Sequence, residues 1–211
     1  MPGSSRRRLG VSTNLPGLPS RRALLTAAGV LPLALLGCRR ASQIPTLGSV
    51  GKFNLTDQAA HPFSETTLLG KVWAAAFFFT RCPTVCPRIT RRMHDLQVAA
   101  AKGGVPLQLV SFSVDPENDT PEVLTAYAKQ YGADLTTWRF LTGDIEVVRR
   151  TSEQGFKLAL DGKATPDAKD FGLFHGSHLV LVDGAGQIRG YYRTSDAAEM
   201  AQLLSDAKLL A

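Results

Sequence analysis

The sequence predicts an α/β fold, with a central mixed sheet flanked by helices and an N-terminal hairpin extension. Apolar segments typical of strands alternate with helical segments from residue 72 to residue 154. Two further strand patterns and one helix then close the chain. Alternating strands and helices are typical of a sheet that is covered on both faces. A third observation is a pair of cysteines at the point where one strand gives way to a helix.

The first 37 residues have the composition of an export signal. They contain five arginines and no acidic residue, and an apolar stretch runs from Ala23 to Leu36. A charged region, a short apolar region and a small residue define a secretory signal. The apolar stretch is short for a transmembrane helix. Leu35-Leu36-Gly37-Cys38 resembles a bacterial lipobox, whose cysteine is lipidated and becomes the new N-terminus. The alternative is an uncleaved signal anchor.

We therefore expect a lipoprotein-type signal peptide over residues 1–37, a linker over residues 38–49 and one domain over residues 50–211. The linker is polar and contains proline and glycine. Export with a lipid anchor at Cys38 would hold the domain at the periplasmic face of a bacterial membrane. Without the five leader arginines, 19 basic and 18 acidic residues remain. This balance argues against nucleic-acid binding.

Strands and helices can be assigned along the whole domain. Lys52–Leu55 and Pro62–Ser64 form the expected N-terminal hairpin. Apolar or β-branched runs predict the other strands at residues 72–79, 107–114, 138–141, 156–160, 178–183 and 187–192. Helices are expected at residues 88–101, 120–131, 144–154 and 195–209. This order of elements, with two cysteines after the first long strand, resembles the thioredoxin-like architecture.

Cys82 and Cys86 are the main candidates for chemistry. They are four residues apart, and each is followed by proline. The positive end of a helix dipole stabilises a thiolate, and an i, i+4 spacing within a helix puts both sulfurs on one face. Such a pair forms a reversible disulfide or binds a soft metal. The alternative is a structural disulfide or two inert thiols. Lipidation of Cys38 would explain why the cysteine count is odd.

A third metal ligand would come from the histidines before the last hairpin. In a thioredoxin-like sheet, the loop that enters this hairpin faces the dithiol. His175 lies in that loop and His178 begins the strand pattern. Two thiolates and one imidazole suit copper, or zinc with a fourth ligand. The physical chemistry of the sequence separates His175 from His178 only weakly.

Three blocks of sequence together resemble the Sco/SenC family. They are Phe-Phe-Phe-Thr-Arg-Cys-Pro-Thr-Val-Cys-Pro, the block Ser113–Pro121, and a histidine eight residues before Asp183. The resemblance covers roughly residues 50–210. It implies a membrane-tethered, thioredoxin-like copper protein that helps to assemble the binuclear copper centre of cytochrome c oxidase.

The resemblance also implies the ligands and the partners. Cys82, Cys86 and His175 would bind Cu(I) and Cu(II), with His178 as an alternative ligand. The partner would be subunit II of the oxidase or another periplasmic copper chaperone. Asp115 follows the second long strand, where its carboxylate would orient the imidazole or meet a partner; a turn-forming Asp-Pro is the alternative.

The function favoured by the sequence is a copper metallochaperone rather than an enzyme. One alternative is a thiol-disulfide reductase in which Cys82 attacks and Cys86 resolves. Another is a copper or redox sensor. Arg81, together with three arginines at residues 88, 91 and 92, adds positive charge beside the cysteines. These arginines would lower the pKa of the thiols or meet an acidic partner, or they form a solvated helix face.

Overall fold

A computed structural model describes residues 44–158 and 177–211. The predicted signal peptide, Cys38, the first part of the linker and His175 lie outside the described residues. The strands in chain order are β1 (Gly48–Ser49), β2 (Asn54–Asp57), β3 (Pro62–Ser64), β4 (Val72–Phe78), β5 (Leu107–Ser113), β6 (Trp138–Thr142), β7 (His178–Val182) and β8 (Gln187–Arg193).

Four α-helices and two shorter helical segments complete the described chain. The α-helices are α1 (Val85–Lys102), α2 (Pro121–Gln130), α3 (Ile145–Arg150) and α4 (Ala197–Leu210). A 3₁₀ helix covers Glu65–Leu68, and a π-helix covers Thr151–Gly155 directly after α3. The helix expected at residues 120–131 is α2, which begins with Pro121, and the Thr120 hydroxyl accepts a hydrogen bond from the N–H of Val123.

The eight strands form one mixed sheet in the order β1-β8-β7-β4-β5-β6-β2-β3. Strand β4 is central and pairs in parallel with β5, which pairs in parallel with β6. On its other side, β4 pairs antiparallel with β7, and β7 with β8. The β2–β3 hairpin joins the β6 edge, as the predicted N-terminal extension. The predicted thioredoxin-like fold, with a mixed sheet flanked by helices, is confirmed.

Both faces of the sheet are covered, and for this reason every residue of β4 is buried. Side chains alternate between the two faces along a strand. Ala74, Ala76 and Phe78 face a core formed with α1, α2 and α4, and this core also contains Cys82 and Cys86. Trp73, Ala75 and Phe77 face a second core formed with α3, Phe156 and the N-terminal segment. The dithiol therefore lies on the face covered by α1.

The strand expected at residues 156–160 is wrong for its described part. Phe156 ends the π-helix, and its N–H donates to the Thr151 carbonyl oxygen at 2.9 Å. Lys157 then has φ 56°, which a strand does not allow. The Phe156 ring packs edge-on against Trp73 and Phe77 in the second core. The alternating apolar residues that predicted a strand here belong to a helix end whose apolar side chain packs into the core.

The folded part of the chain begins before residue 50. Gly48 and Ser49 of β1 pair with the start of β8, and the Leu47 N–H donates to the Ile188 carbonyl oxygen at 2.8 Å. The last residues of the predicted linker are thus part of the sheet. Within residues 44–158 and 177–211, no helix combines the length and the apolar character needed to cross a bilayer.

Candidate metal and dithiol site

The two cysteines lie in the connection from β4 to α1. Cys82 is in the turn that precedes the helix, and Cys86 is the second residue of α1. Pro87 follows as the third residue of α1, where the N–H that proline lacks would have no partner in the helix. Only Cys86 therefore has helical geometry. The Cys82 sulfur lies on the N-terminal side of the first turn of α1.

The Cys82 sulfur takes the place of an N-cap at α1. The side chain of Thr84, at the N-cap position, makes no capping hydrogen bond. The N–H of Cys86 donates to the Cys82 Sγ at 3.3 Å. Burial acts to raise the pKa of Cys82, but hydrogen bonds from the N–H groups of Cys86, Thr84 and Val85 and from the Cys86 thiol outweigh it and lower this pKa below its ordinary value. Free N–H groups at a helix start stabilise a thiolate in this way.

The Cys86 thiol has the opposite character. Its residue is 1% exposed, against 8% for Cys82. Burial raises the pKa of Cys86 well above its ordinary value, and the neighbouring Cys82 sulfur and Asp119 carboxyl add to the effect. The site therefore combines one acidified thiol, slightly more exposed than its neighbour, with one fully buried thiol that retains its proton. Both cysteines are free in this structure.

A buried carboxyl group holds the cysteine turn against the end of β5. Asp119 is 0% exposed and accepts hydrogen bonds from the Thr80 hydroxyl at 2.5 Å, from the Thr80 N–H at 3.1 Å and from the Ser113 hydroxyl at 2.5 Å. Thr80 is two residues before Cys82. Burial raises the pKa of Asp119 above its ordinary value, although these hydrogen bonds oppose the shift.

A second carboxyl group holds the same turn from outside. Asp115 is buried and forms an ion pair with Arg81, with 2.8 Å between its Oδ2 and the guanidinium Nη2. The Asn118 side chain donates to the other Asp115 oxygen at 2.8 Å. Arg81 directly precedes Cys82. Asp115, which the sequence singled out, thus lies beside the site and contacts it through Arg81.

The described histidines do not complete a metal site with the cysteines. Among the residues that the structure describes, no three Cys, His, Asp or Glu side chains are grouped so that they would hold a metal ion. His178 begins β7, and strand alternation puts it on the side of Val180 and Val182, which belong to the second core. The assignment of His175, which lies outside the described residues, stays a prediction.

Asp119 is the functional residue that sequence reasoning missed. Its sequence context, Asp115-Pro116-Glu117-Asn118-Asp119, is typical of a loop. Its burial and its contacts with Thr80 depend on tertiary structure. The available signal was the repeat of aspartate four residues after Asp115, at the carboxyl end of a central strand, where sites of α/β proteins cluster.

Comparison with known proteins identifies the family. The SCO1/SenC family model matches residues 42–208. The chain belongs to the SCO1/SenC family. The predicted family resemblance is confirmed. The SCO1 protein homolog of Bacillus subtilis is 33% identical over 184 residues, which cover 86% of this chain and 93% of that protein.

Solved structures of the SCO1/SenC family share the fold. A SCO1/SenC family lipoprotein from Bacillus anthracis is 34% identical, with a TM-score of 0.71 over 78% of this chain and 96% of that chain. BsSco, a Sco family cytochrome c oxidase assembly protein with a disulfide switch, is 31% identical, with a TM-score of 0.69 over 78% and 94%. Yeast Sco1 with copper bound is 25% identical, with a TM-score of 0.63 over 76% and 88%.

Proposed function

We propose that this protein is a membrane-tethered copper metallochaperone. It binds copper through Cys82, Cys86 and His175 and delivers it to the binuclear copper centre of cytochrome c oxidase. The observation that carries the proposal is the pairing of an acidified and a buried thiol at the start of α1 in a SCO1/SenC protein. Soft sulfur ligands hold Cu(I), and an added imidazole allows Cu(II). Copper bound to yeast Sco1 supports copper as the cargo.

The thiol pair supports a site that loads and releases metal. Cys82 loses its proton to incoming copper more easily than an ordinary thiol, since its pKa is lowered. Cys86 must lose its proton to become a ligand, because burial keeps its pKa high. Copper binding therefore releases a proton, and the affinity for copper rises with pH. A three-ligand site leaves one position open, through which a ligand of the partner enters and takes the metal.

His175 is favoured over His178 as the third ligand. The side chain of His178 belongs to the strand face of Val180 and Val182, whereas the cysteines belong to the core on the opposite face of the sheet. This strand geometry argues against His178 and supports the histidine that lies before the strand.

The location and partner follow from the leader and the relatives. Lipidation of Cys38 would anchor the exported domain at the periplasmic face of a bacterial membrane, and the lipoprotein of Bacillus anthracis supports such an anchor. The partner is subunit II of the oxidase or another periplasmic copper chaperone. The role of BsSco as a cytochrome c oxidase assembly protein supports this choice.

A thiol-disulfide reductase is the second candidate, and the asymmetry of the two thiols favours it. The Cys82 thiolate attacks a partner disulfide, which forms a mixed disulfide and releases one partner thiolate. Cys86 then loses its proton and attacks the Cys82 sulfur. The second partner thiolate leaves, and the Cys82–Cys86 disulfide remains, so that two electrons pass to the partner. The disulfide switch of BsSco is consistent with this chemistry. A copper or redox sensor would use the same site without transfer.

The test is an absorption spectrum of the full chain in detergent. The protein is reduced without oxygen and receives one equivalent of Cu(II). The same titration is made with His175→Ala, His178→Ala and His61→Ala. His61 is a matched control because its side chain is 76% exposed and lies in the β2–β3 hairpin. We expect intense sulfur-to-copper charge-transfer bands that only His175→Ala removes.

Other results would separate the candidates. Loss of the bands in His178→Ala alone would show that His178, not His175, is the third ligand, and the proposed copper function would stand. Oxidation of about half of the dithiol to a disulfide in every variant, the most that one equivalent of Cu(II) allows, without charge-transfer bands, would reject copper binding and favour the reductase. An oxidase assembly defect that added copper does not relieve would also favour the reductase.

A further inference from the structure

A groove of about 430 Å³ lies between the first three turns of α1, which also carries Cys86, and a wall formed by Ser177 and the turn that joins β8 to α4. Its α1 wall carries Val85 and three arginines, Arg88, Arg91 and Arg92. One carboxylate and three hydroxyl-bearing residues complete the lining. We call this feature the arginine groove. Its lining has two more basic than acidic side chains.

Two of the three guanidinium groups have no partner in the described part of the chain. Arg92 is held in place, because its Nε donates to the Thr194 carbonyl oxygen at 3.1 Å and its Nη1 lies 3.5 Å from Asp95. Arg88 and Arg91 are exposed and form no ion pair or hydrogen bond with the described residues. The groove thus has one fixed arginine and two arginines available to a ligand.

One end of the arginine groove is formed by the residue next to Cys86 in the chain. Val85 directly precedes Cys86, and Arg92 lies seven residues further along α1. At a rise of 1.5 Å per residue, this length corresponds to about 10 Å of helix. An extended chain of about three residues would span it. A segment bound along the groove would have one end at Val85, next to Cys86 in the chain.

We propose that the arginine groove docks an acidic segment of the protein that exchanges copper or electrons with the dithiol. This inference rests on the proposed function and adds the chemistry of the partner surface. Guanidinium groups bind carboxylates through paired hydrogen bonds, and complementary charge accelerates association between proteins. Val85 and the hydroxyl groups of the opposite wall contact the backbone of the docked segment. The partner's thiol or imidazole then reaches the dithiol from the Val85 end.

The test measures how fast acidic and neutral thiol peptides reduce the Cys82–Cys86 disulfide of the full chain. The probes are acetylated Glu-Glu-Gly-Cys and Gln-Gln-Gly-Cys, and each rate is divided by that peptide's rate with a small aromatic disulfide. Two peptide thiolates supply the two electrons. The first forms a mixed disulfide with the protein, and the second releases it as peptide disulfide and leaves both protein thiols reduced.

We expect the acidic peptide to react about tenfold faster than the neutral one at low ionic strength. The ratio of the two rates should fall to one at about 0.5 M salt, because screening shortens the range of the attraction. Arg88→Gln combined with Arg91→Gln should remove the advantage of the acidic peptide. Arg149→Gln combined with Arg150→Gln is the matched control, since these exposed arginines end α3 on the other face of the sheet. The control should retain the advantage.

Three results would overturn the inference. Equal rates for the two peptides would show that the groove does not attract acidic segments. An equal loss in the α3 control would assign the effect to net charge. Suppression of the advantage by millimolar inorganic phosphate at constant ionic strength would indicate a site for small anions. The assay contains no copper, so its outcome is independent of whether the protein binds copper.

Discussion

Replacing Asp119 by alanine should destabilise the reduced protein by about 3 kcal/mol. The change leaves the Thr80 N–H, the Thr80 hydroxyl and the Ser113 hydroxyl without their acceptor. A buried donor left unpaired costs about 1–3 kcal/mol. The hydroxyl groups can rotate towards other acceptors. Removing the carboxyl also removes the free-energy cost of burying it. The total loss of stability is therefore smaller than the sum of three full penalties.

The assay is urea unfolding of the reduced full chain at pH 7, with Asp119→Asn and Glu117→Ala measured beside Asp119→Ala. Asp119→Asn keeps one acceptor oxygen and should lose about 1 kcal/mol. Glu117→Ala removes the same charge from an exposed position of the same loop and should change stability by at most about 0.5 kcal/mol. If the free energy of unfolding of Asp119→Ala lies within about 1 kcal/mol of that of the Glu117→Ala control, the argument that Asp119 holds the cysteine turn fails.

The pH dependence of the same variants tests the raised pKa of Asp119. Because the folded protein holds this proton more tightly than the unfolded chain, the contribution is complete below the unfolded pKa of about 4. It is lost as the pH rises through the folded pKa. The stability of the wild type should therefore fall relative to Asp119→Asn as the pH increases above about 4. A constant difference would contradict the pKa shift.

Two further predictions concern the thiols and the π-helix. Alkylation of the reduced protein by iodoacetamide should modify Cys82 before Cys86, with a rate midpoint below the ordinary thiol pKa, as peptide mass spectrometry can check. Faster modification of Cys86 would reject the asymmetry. Gly155→Ala should lower the free energy of unfolding by about 2 kcal/mol, because the added Cβ would clash with the Val50 carbonyl oxygen. An unchanged urea midpoint would show that this contact relaxes freely.

The elements that could be predicted are those with strong local signals. β4 is a continuous apolar run, β5 is rich in apolar residues, and α2 has Thr120, Pro121 and Glu122 at its start. The segment after residue 155 could not be predicted, because a helix end whose last apolar side chain enters the core has the same alternation as a strand. β1 has only two residues, and its pairing with β8 joins positions about 140 apart in the sequence.

The same distinction applies to the site. The cysteine pair was identifiable because both thiols and their prolines lie within six residues of sequence. The different roles of the two thiols were not, since they follow from which sulfur accepts the N–H groups of α1 and which lies in the core. The role of Asp119 was not predictable because its partner Thr80 lies 39 residues away in the sequence. Local motifs thus locate the chemistry, whereas tertiary burial assigns its roles.

The antiparallel β1–β8 edge has a consequence for how the domain is presented. Gly48 pairs with Ile188, and Ile188 is level with Val182 and Trp73 near the start of β4. Cys82 lies beyond the other end of β4, about 17 Å or more along the strand direction from Trp73. The N-terminal segment thus enters the domain at the end of the sheet opposite to the dithiol. If this segment is attached to a surface, that end of the domain faces the surface and the dithiol end stays open to another protein.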